Sequence, residues 1–214
     1  MRDIRVRLAS VGMALSLTLA SAAFAVPKYY EIAGGNVNGH FNDPGLVINT
    51  SLAGGLPGTS FTLNDGGSNT FNFFSIWTNE TAINSDDLVS YAITATLNFS
   101  DPLTGATVNG VTFGGSILFG LTQWGQIQWN GPTTVTLGDR VFSLSLSNET
   151  FNSGIFGLNE GPQCGAIVEA TVTQLSSTVS NPNGAPVPEH GNTGLLLGAA
   201  VTGLAVFSRR RILG

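Results

Sequence analysis

The sequence has very few basic residues between its two ends. Six of its eight Lys and Arg residues lie in segments 2–7 and 209–211. Between residues 26 and 188, only Lys28 and Arg140 oppose eleven Asp and Glu residues, so this body carries a net charge of −9. A surface this acidic repels phosphate groups and anionic lipid headgroups. We therefore expect no nucleic-acid partner.

Cysteine and histidine are almost absent. Cys164 is the only cysteine, which rules out an intramolecular disulfide. No basic side chain lies near it in sequence, so we predict a small buried hydrophobe rather than a reactive thiol. Of the two histidines, only His40 lies within the body, and no Gly-x-Ser-x-Gly accompanies it. The sequence therefore predicts neither a zinc site nor a set of catalytic residues.

Carboxylates are more numerous, but they are scattered. Asp86 and Asp87 form the only adjacent acidic pair, and we expect them in the loop before a long strand. Two oxygen-rich segments, 64–69 and 84–87, are typical of plain turns and also of loops that bind Ca²⁺. We predict turns without a cofactor and keep Ca²⁺ as the alternative.

Helical periodicity is also missing from the body, and strict alternation takes its place. Alternating apolar and polar residues predict strands with one buried face. The clearest strands are 88–99 and 140–147. Two further apolar sets have the same spacing: Ile117, Phe119 and Leu121, then Val168, Ala170 and Val172.

Turn residues separate these runs. They occur at 64–67, 101–102, 109–110, 130–132 and 138–139, and the Asn-Gly at 109–110 suggests a tight hairpin. The pattern predicts an all-β fold, an antiparallel β-sandwich of about eight to eleven strands over residues 26–175. A Pro-containing stretch at 176–186 reads as a linker.

The N-terminal segment, residues 1–25, has the three parts of a secretory signal peptide. Arg2, Arg5 and Arg7 precede an apolar stretch at 8–20. Ala23 and Ala25 then supply the small residues of a cleavage site. We expect a signal helix here that is removed after Ala25.

The C-terminal segment, residues 187–214, also has three parts. A short motif of Val187, Pro188, Glu189, His190 and Gly191 comes first. Residues 191–208 carry no charge and would form about 27 Å of apolar transmembrane helix, slightly less than a hydrocarbon core of about 30 Å. Arg209, Arg210 and Arg211 follow, and the positive-inside rule keeps them in the cytoplasm.

This order of motif, apolar helix and arginines resembles the PEP-CTERM sorting signal of Gram-negative bacteria. His190 and Gly191 stand where Pro-Ser is common, so the match is closest to the Val-Pro-x-x-Gly variant. The resemblance implies that an exosortase-type transpeptidase cuts the chain near residues 187–189 while the precursor sits transiently in the inner membrane. It also implies a product that is secreted or held at the cell surface, with exopolysaccharide and biofilm matrix around it.

One segment of the body has side chains suited to sugar contact. Trp124 and Trp129 alternate with three glutamines in segment 121–130. Aromatic faces stack on sugar rings, and amides bond to hydroxyl groups. Odd spacing puts the two Trp side chains on opposite faces of a strand, and Trp129 is in phase with Ile127 and so belongs to the core. Two ordinary core or hairpin aromatics are the competing interpretation.

Together these patterns predict a non-enzymatic exported protein of the cell surface or extracellular matrix. The alternative is an exported carbohydrate-binding module or a polysaccharide-acting enzyme with the same sorting signal.

Overall fold

The computed structural model describes residues 26–39, 41–118 and 120–175, and these residues are all-β. They form eleven strands and one short 3₁₀ turn at Pro162–Cys164. The strands are β1 Lys28–Asn38, β2 Asn49–Leu52, β3 Ser60–Leu63, β4 Ser68–Trp77, β5 Tyr91–Asp101, β6 Thr104–Ile117, β7 Thr122–Trp129, β8 Thr133–Leu137, β9 Arg140–Leu146, β10 Glu149–Ile155 and β11 Ala166–Leu175.

The strands form two antiparallel sheets. The first sheet has six strands in the order β10-β7-β6-β5-β1-β3, and the second has five in the order β2-β4-β11-β9-β8. The long central strands β5, β6 and β7 pair in continuous register, with Ala95 opposite Val108 and Thr112 opposite Ile127. This regular pairing gives the first sheet a broad, continuous surface.

One core joins the two sheets through their inward side chains. Ile93, Ala95, Leu97 and Phe99 of β5 alternate inward, as their period of two requires. The ring of Phe142 on β9 in the second sheet meets Tyr30 and Phe99 of the first sheet edge-on, at centroid distances of 5.4 and 5.2 Å. Apolar burial of this kind is the main favourable term in folding.

The strand predictions are confirmed where alternation is longest. Phe142 and Leu144 of β9 are buried, and so are Val168, Ala170 and Val172 of β11. The predicted strand 88–99 begins later than expected, at Tyr91, and Leu88 and Val89 are each 52 % exposed. Asp86 and Asp87 lie in the loop before it, as predicted.

Two local predictions are wrong. No hairpin forms at 109–110, because β6 runs unbroken through both residues. A Cβ at Gly110 would lie 2.4 Å from the Gln128 oxygen and 2.7 Å from the Trp129 ring, so this glycine allows close packing rather than a turn. Ile117 and Leu121 do not share a strand, because left-handed residues Leu118 (φ 51°) and Gly120 (φ 86°) reverse the chain between β6 and β7.

The first and last described strands meet at one end of the sheet pair. The buried Tyr30 hydroxyl donates a hydrogen bond to Oε1 of Gln174 near the end of β11. Arg140 Nη1 donates to the Tyr29 carbonyl oxygen at 2.9 Å, and the next residue, Val141, pairs with Leu175. The start of β1 and the end of β11 therefore lie close together.

The predicted signal helix and C-terminal apolar helix lie outside the described residues. Within residues 26–39, 41–118 and 120–175, no helix is long and apolar enough to cross a membrane.

Candidate functional site

The outer surface of the first sheet carries no charged side chain on its three central strands. We call this surface the uncharged face, and it consists of the outward residues of β5, β6 and β7. They include Thr94, Thr96 and Asn98 on β5, Thr107, Asn109, Val111 and Phe113 on β6, and Trp124, Gln126 and Gln128 on β7. Every one of them is half-buried or exposed, while the neighbouring positions along each strand face the core.

Trp124 lies across the sheet directly over Gly115. The two residues are paired between β6 and β7, and a Cβ on Gly115 would lie 2.5–2.7 Å from Cε2, Cζ2 and Nε1 of the indole. Only a glycine leaves room for a ring this close to the backbone. Trp124 is half-buried, so part of its side chain remains accessible at the surface of the sheet.

Trp129 has a different environment, as its spacing from Trp124 predicted. Its side chain belongs to the core, is only 9 % exposed and meets Phe74 edge-on at 6.3 Å. Its Nε1–H donates to the Ser147 carbonyl oxygen at 3.0 Å, which satisfies the one polar atom of the ring. Trp129 is therefore not available for sugar contact, and Trp124 alone keeps that candidate role.

A second cluster joins the loops at 43–47 and 78–90. Glu80 and Asp87 are in hydrogen-bond contact through their carboxyl groups. Glu80 Oε1 accepts the Val47 N–H at 2.6 Å, and Asp87 Oδ2 accepts the Asn84 N–H at 2.8 Å. Asp87 is fully buried, and its Oδ1 meets no fixed N–H or O–H donor among the described atoms.

A proton on Glu80 explains how two carboxyl groups can lie in hydrogen-bond contact. Burial is the main cause that raises the pKa of Glu80 to about 7 from 4.5, and the charge on Asp87 adds to the rise. Burial also raises the pKa of Asp87, although its contact with Glu80 opposes that rise. Asp43 and Asp86, the other charged groups acting on the pair, are also acidic and favour the protonated form. Asp87 thus accepts a hydrogen bond from protonated Glu80.

This pair makes stability depend on pH in a defined direction. Folded Glu80 keeps its proton between pH 4.5 and about 7, whereas the unfolded chain releases it in that range. The free energy of unfolding should therefore fall as pH rises through this window, by on the order of 1 kcal/mol after solvent screening. Urea unfolding at about pH 5 and about pH 8 measures the difference.

The matched substitutions are Glu80→Gln and Glu160→Gln. Gln at position 80 can still donate to Asp87 but does not titrate, so the part of the pH dependence due to Glu80 should disappear. The exposed Glu160 is the control, and its replacement should leave the slope unchanged. An identical pH slope in wild type and Glu80→Gln would contradict the shared-proton assignment.

A buried asparagine organises the next loops. Asn152 Oδ1 accepts the Thr78 N–H at 2.9 Å, and Nδ2 donates to the Gly161 oxygen at 3.0 Å and also to the Asn159 oxygen. Asn152 is fully buried and adopts a left-handed backbone (φ 52°), which Asn tolerates better than most residues. It links β10 to the segments that follow β4 and precede β11.

Sequence reasoning missed both polar clusters. The loop position of Asp87 is readable from the sequence, but no periodicity brings Glu80 onto it across an irregular loop. In the sequence, Asn152 looks like one more polar residue of an alternating strand. A bulge changes the register between β10 and β7 at this point, and the sequence does not reveal that bulge.

Other predictions about site residues have different outcomes. Cys164 is exposed, contrary to the prediction of a buried hydrophobe, because it ends a 3₁₀ turn that buries none of its residues. In the described part of the chain, no three His, Cys, Asp or Glu residues converge as a metal site would require. The 64–67 segment is a turn between β3 and β4, and the Gly67 N–H donates to the Asn64 oxygen at 2.8 Å.

Several predicted residues lie outside the described ranges. They are the cleavage residues Ala23 and Ala25, the lone body histidine His40, the sorting motif Val187, Pro188, Glu189, His190 and Gly191, and the arginines Arg209, Arg210 and Arg211.

A shallow cleft of about 440 Å³ opens on the second sheet beside the 53–59 turn. Leu56, Phe71, Asn72 and Ile167 are among its lining residues, and none of the described residues that line it carries an ionisable side chain. The cleft therefore offers shape and apolar contact without acid–base chemistry.

Comparison with protein-family models, with curated proteins and with solved structures gave no match.

Proposed function

We propose that this chain is a non-enzymatic protein of the cell surface or extracellular matrix, exported through the inner membrane and processed by an exosortase-type transpeptidase. The observation that carries the proposal is the pairing of two terminal signals in one sequence. Residues 1–25 have the order of a secretory signal, and residues 187–214 have the order of a PEP-CTERM sorting signal. Both place the body on the same, non-cytoplasmic side of the membrane.

The geometry of the body supports this arrangement. Lys28 begins β1 and Leu175 ends β11 at the same end of the sheet pair. A body attached to a membrane through the linker after Leu175 keeps its other surfaces available, and these include the uncharged face. The acidic, lysine-poor body also favours solubility over contact with anionic lipid.

A change in the sorting motif tests the processing step. With Pro188→Ala or Glu189→Ala, most of the protein should accumulate as an inner-membrane precursor, because the transpeptidase no longer recognises its cleavage segment. Cell fractionation and immunoblotting measure the distribution. Pro182→Ala, a proline replacement in the linker, is the matched control and should be processed normally.

Intact-mass measurement of the released wild-type protein gives the decisive result. The expected product begins at Val26 and lacks Arg209, Arg210 and Arg211. A released product that still carries these arginines would refute processing at the motif, and so would normal release of both motif variants.

A further inference from the structure

We propose that the uncharged face is a binding site for a neutral polysaccharide chain, with Trp124 as its stacking surface. This inference deepens the proposed function and rests on it for the extracellular setting in which such a polymer is met. The juxtaposition that carries it is a half-buried indole packed against Gly115, next to amide side chains, on a part of the sheet without charge.

The Trp124 indole is held against the backbone of the sheet. Because Gly115 has no side chain, the Trp124 ring covers the backbone, and the contacts from Cε2 to Nε1 run along one edge of the ring. A half-buried ring packed against the sheet keeps part of its surface accessible and has little rotamer freedom left to lose on binding. Sugar rings present apolar C–H faces, which stack on an aromatic surface of this kind.

Amide side chains lie beside Trp124 on the same face of β7. Gln126 follows on the same face of β7 and pairs with Phe113, and Gln128 pairs with Val111. Same-face residues lie about 6–7 Å apart along a strand, and adjacent strands lie about 4.8 Å apart. Each amide both donates and accepts hydrogen bonds, which matches sugar hydroxyl groups. Trp124 and these amides therefore form a row along β7 that fits an extended polymer rather than a single small molecule.

Charge restricts the kind of polymer that this face can bind. No basic side chain lies on the uncharged face, and the whole body has a net charge of −9. An acidic polysaccharide would be repelled over the range of a Debye length and would find no cation to pair with. A neutral polymer is not repelled and needs no cation to pair with, so the charge pattern favours a neutral polysaccharide.

The backbone beneath the uncharged face is held in place on both sides. The face lies on the three central strands of a six-stranded sheet, and each of these strands is paired on both sides. The alternate residues beneath it, among them Val108 and Ile127, are fully buried in the core. The side chains of the face therefore stand on a fixed backbone, which keeps the ordering cost of binding low.

Affinity gel electrophoresis of the full chain in mild detergent tests the site. The probes are hydroxyethyl-cellulose and glucomannan as neutral polymers and polygalacturonate as the acidic one. The expected result is retardation by at least one neutral polymer, no retardation by polygalacturonate, and little change when salt is raised, because stacking and neutral hydrogen bonds are weakly screened. Trp124→Ala should weaken the retardation about tenfold.

Two variants act as controls, and a third is a second test of the site. Trp124→Phe keeps an aromatic surface and should retain most of the binding. Tyr29→Ala removes a 42 % exposed aromatic from β1, outside the uncharged face, and should bind like wild type. Gln126→Ala removes one amide without touching the core, so it tests the site even where Trp124→Ala fails to fold, and it should also weaken retardation.

Three results would contradict the proposed binding site. Absence of retardation of the wild type by both neutral polymers would overturn the proposal. Retardation by polygalacturonate alone, or an equal loss in Tyr29→Ala, would overturn it as well. Intact mass of the released protein reports processing separately. A correctly processed protein without binding would refute only this site, whereas binding by the full chain together with a released product that keeps Arg209, Arg210 and Arg211 would refute only the processing route.

Discussion

Phe142→Ala should lower the free energy of unfolding by about 3–5 kcal/mol, the usual cost of deleting a buried aromatic ring. Phe142 is fully buried, and its ring lies edge-on to Tyr30 and Phe99 of the opposite sheet. Its removal leaves a cavity between the two sheets, where backbone pairing limits collapse. A urea titration with an unchanged m-value measures the loss as a lower unfolding midpoint.

Phe156→Ala is the matched control, because it makes the same chemical change at a residue that is 83 % exposed. It should alter the free energy of unfolding by less than about 0.5 kcal/mol. Equal losses at positions 142 and 156 would contradict the location of the core.

Asn152→Asp should cost about 3–5 kcal/mol although it changes the side-chain volume very little. The substitution replaces the Nδ2 donor, which bonds to the Gly161 and Asn159 oxygens, with an acceptor facing the same oxygens. The buried Gly161 carbonyl and the Asn159 carbonyl lose their partner, and a buried carboxylate without a counter-ion is costly. Thermal or urea unfolding at neutral pH measures the loss.

Asn109→Asp makes the same replacement on the exposed surface of β6 and should be nearly neutral. The loss at Asn152 should shrink as pH falls, because burial raises the pKa of the new carboxyl group and its protonated form can donate one of the missing hydrogen bonds. A pH-independent loss would show that the cause is not the buried charge.

Long alternating runs allowed the fold class to be predicted from the sequence. Ile93, Leu97 and Phe99 repeat with the period of a strand, and such a repeat has one stable solution when one face must be buried. Short signals were less reliable. Asn109 and Gly110 have the composition of a hairpin turn, but the Trp129 ring occupies the space that a Cβ at position 110 would need, and this contact is not visible in local sequence.

The sequence predicted only the part of the candidate site that depends on alternation within one strand. Parity along β7 separates Trp124 from Trp129, so the sequence predicted their opposite faces. It did not reveal that Gly115 would lie beneath Trp124, because that depends on the register between β6 and β7. The Glu80–Asp87 contact likewise depends on the path of an irregular loop, for which no periodic rule exists.

The position of β11 has a consequence for the order of folding on the proposed export route. It is the last strand in the sequence, yet it lies in the middle of the second sheet, between β4 and β9. Until residues 166–175 are available, the second sheet consists of two separate parts, β2-β4 and β9-β8. On a route that moves the N-terminus first, the body can close only after its final strand has passed through the translocation channel. If the chain follows the proposed export route, translocation would therefore be nearly complete before the native fold forms.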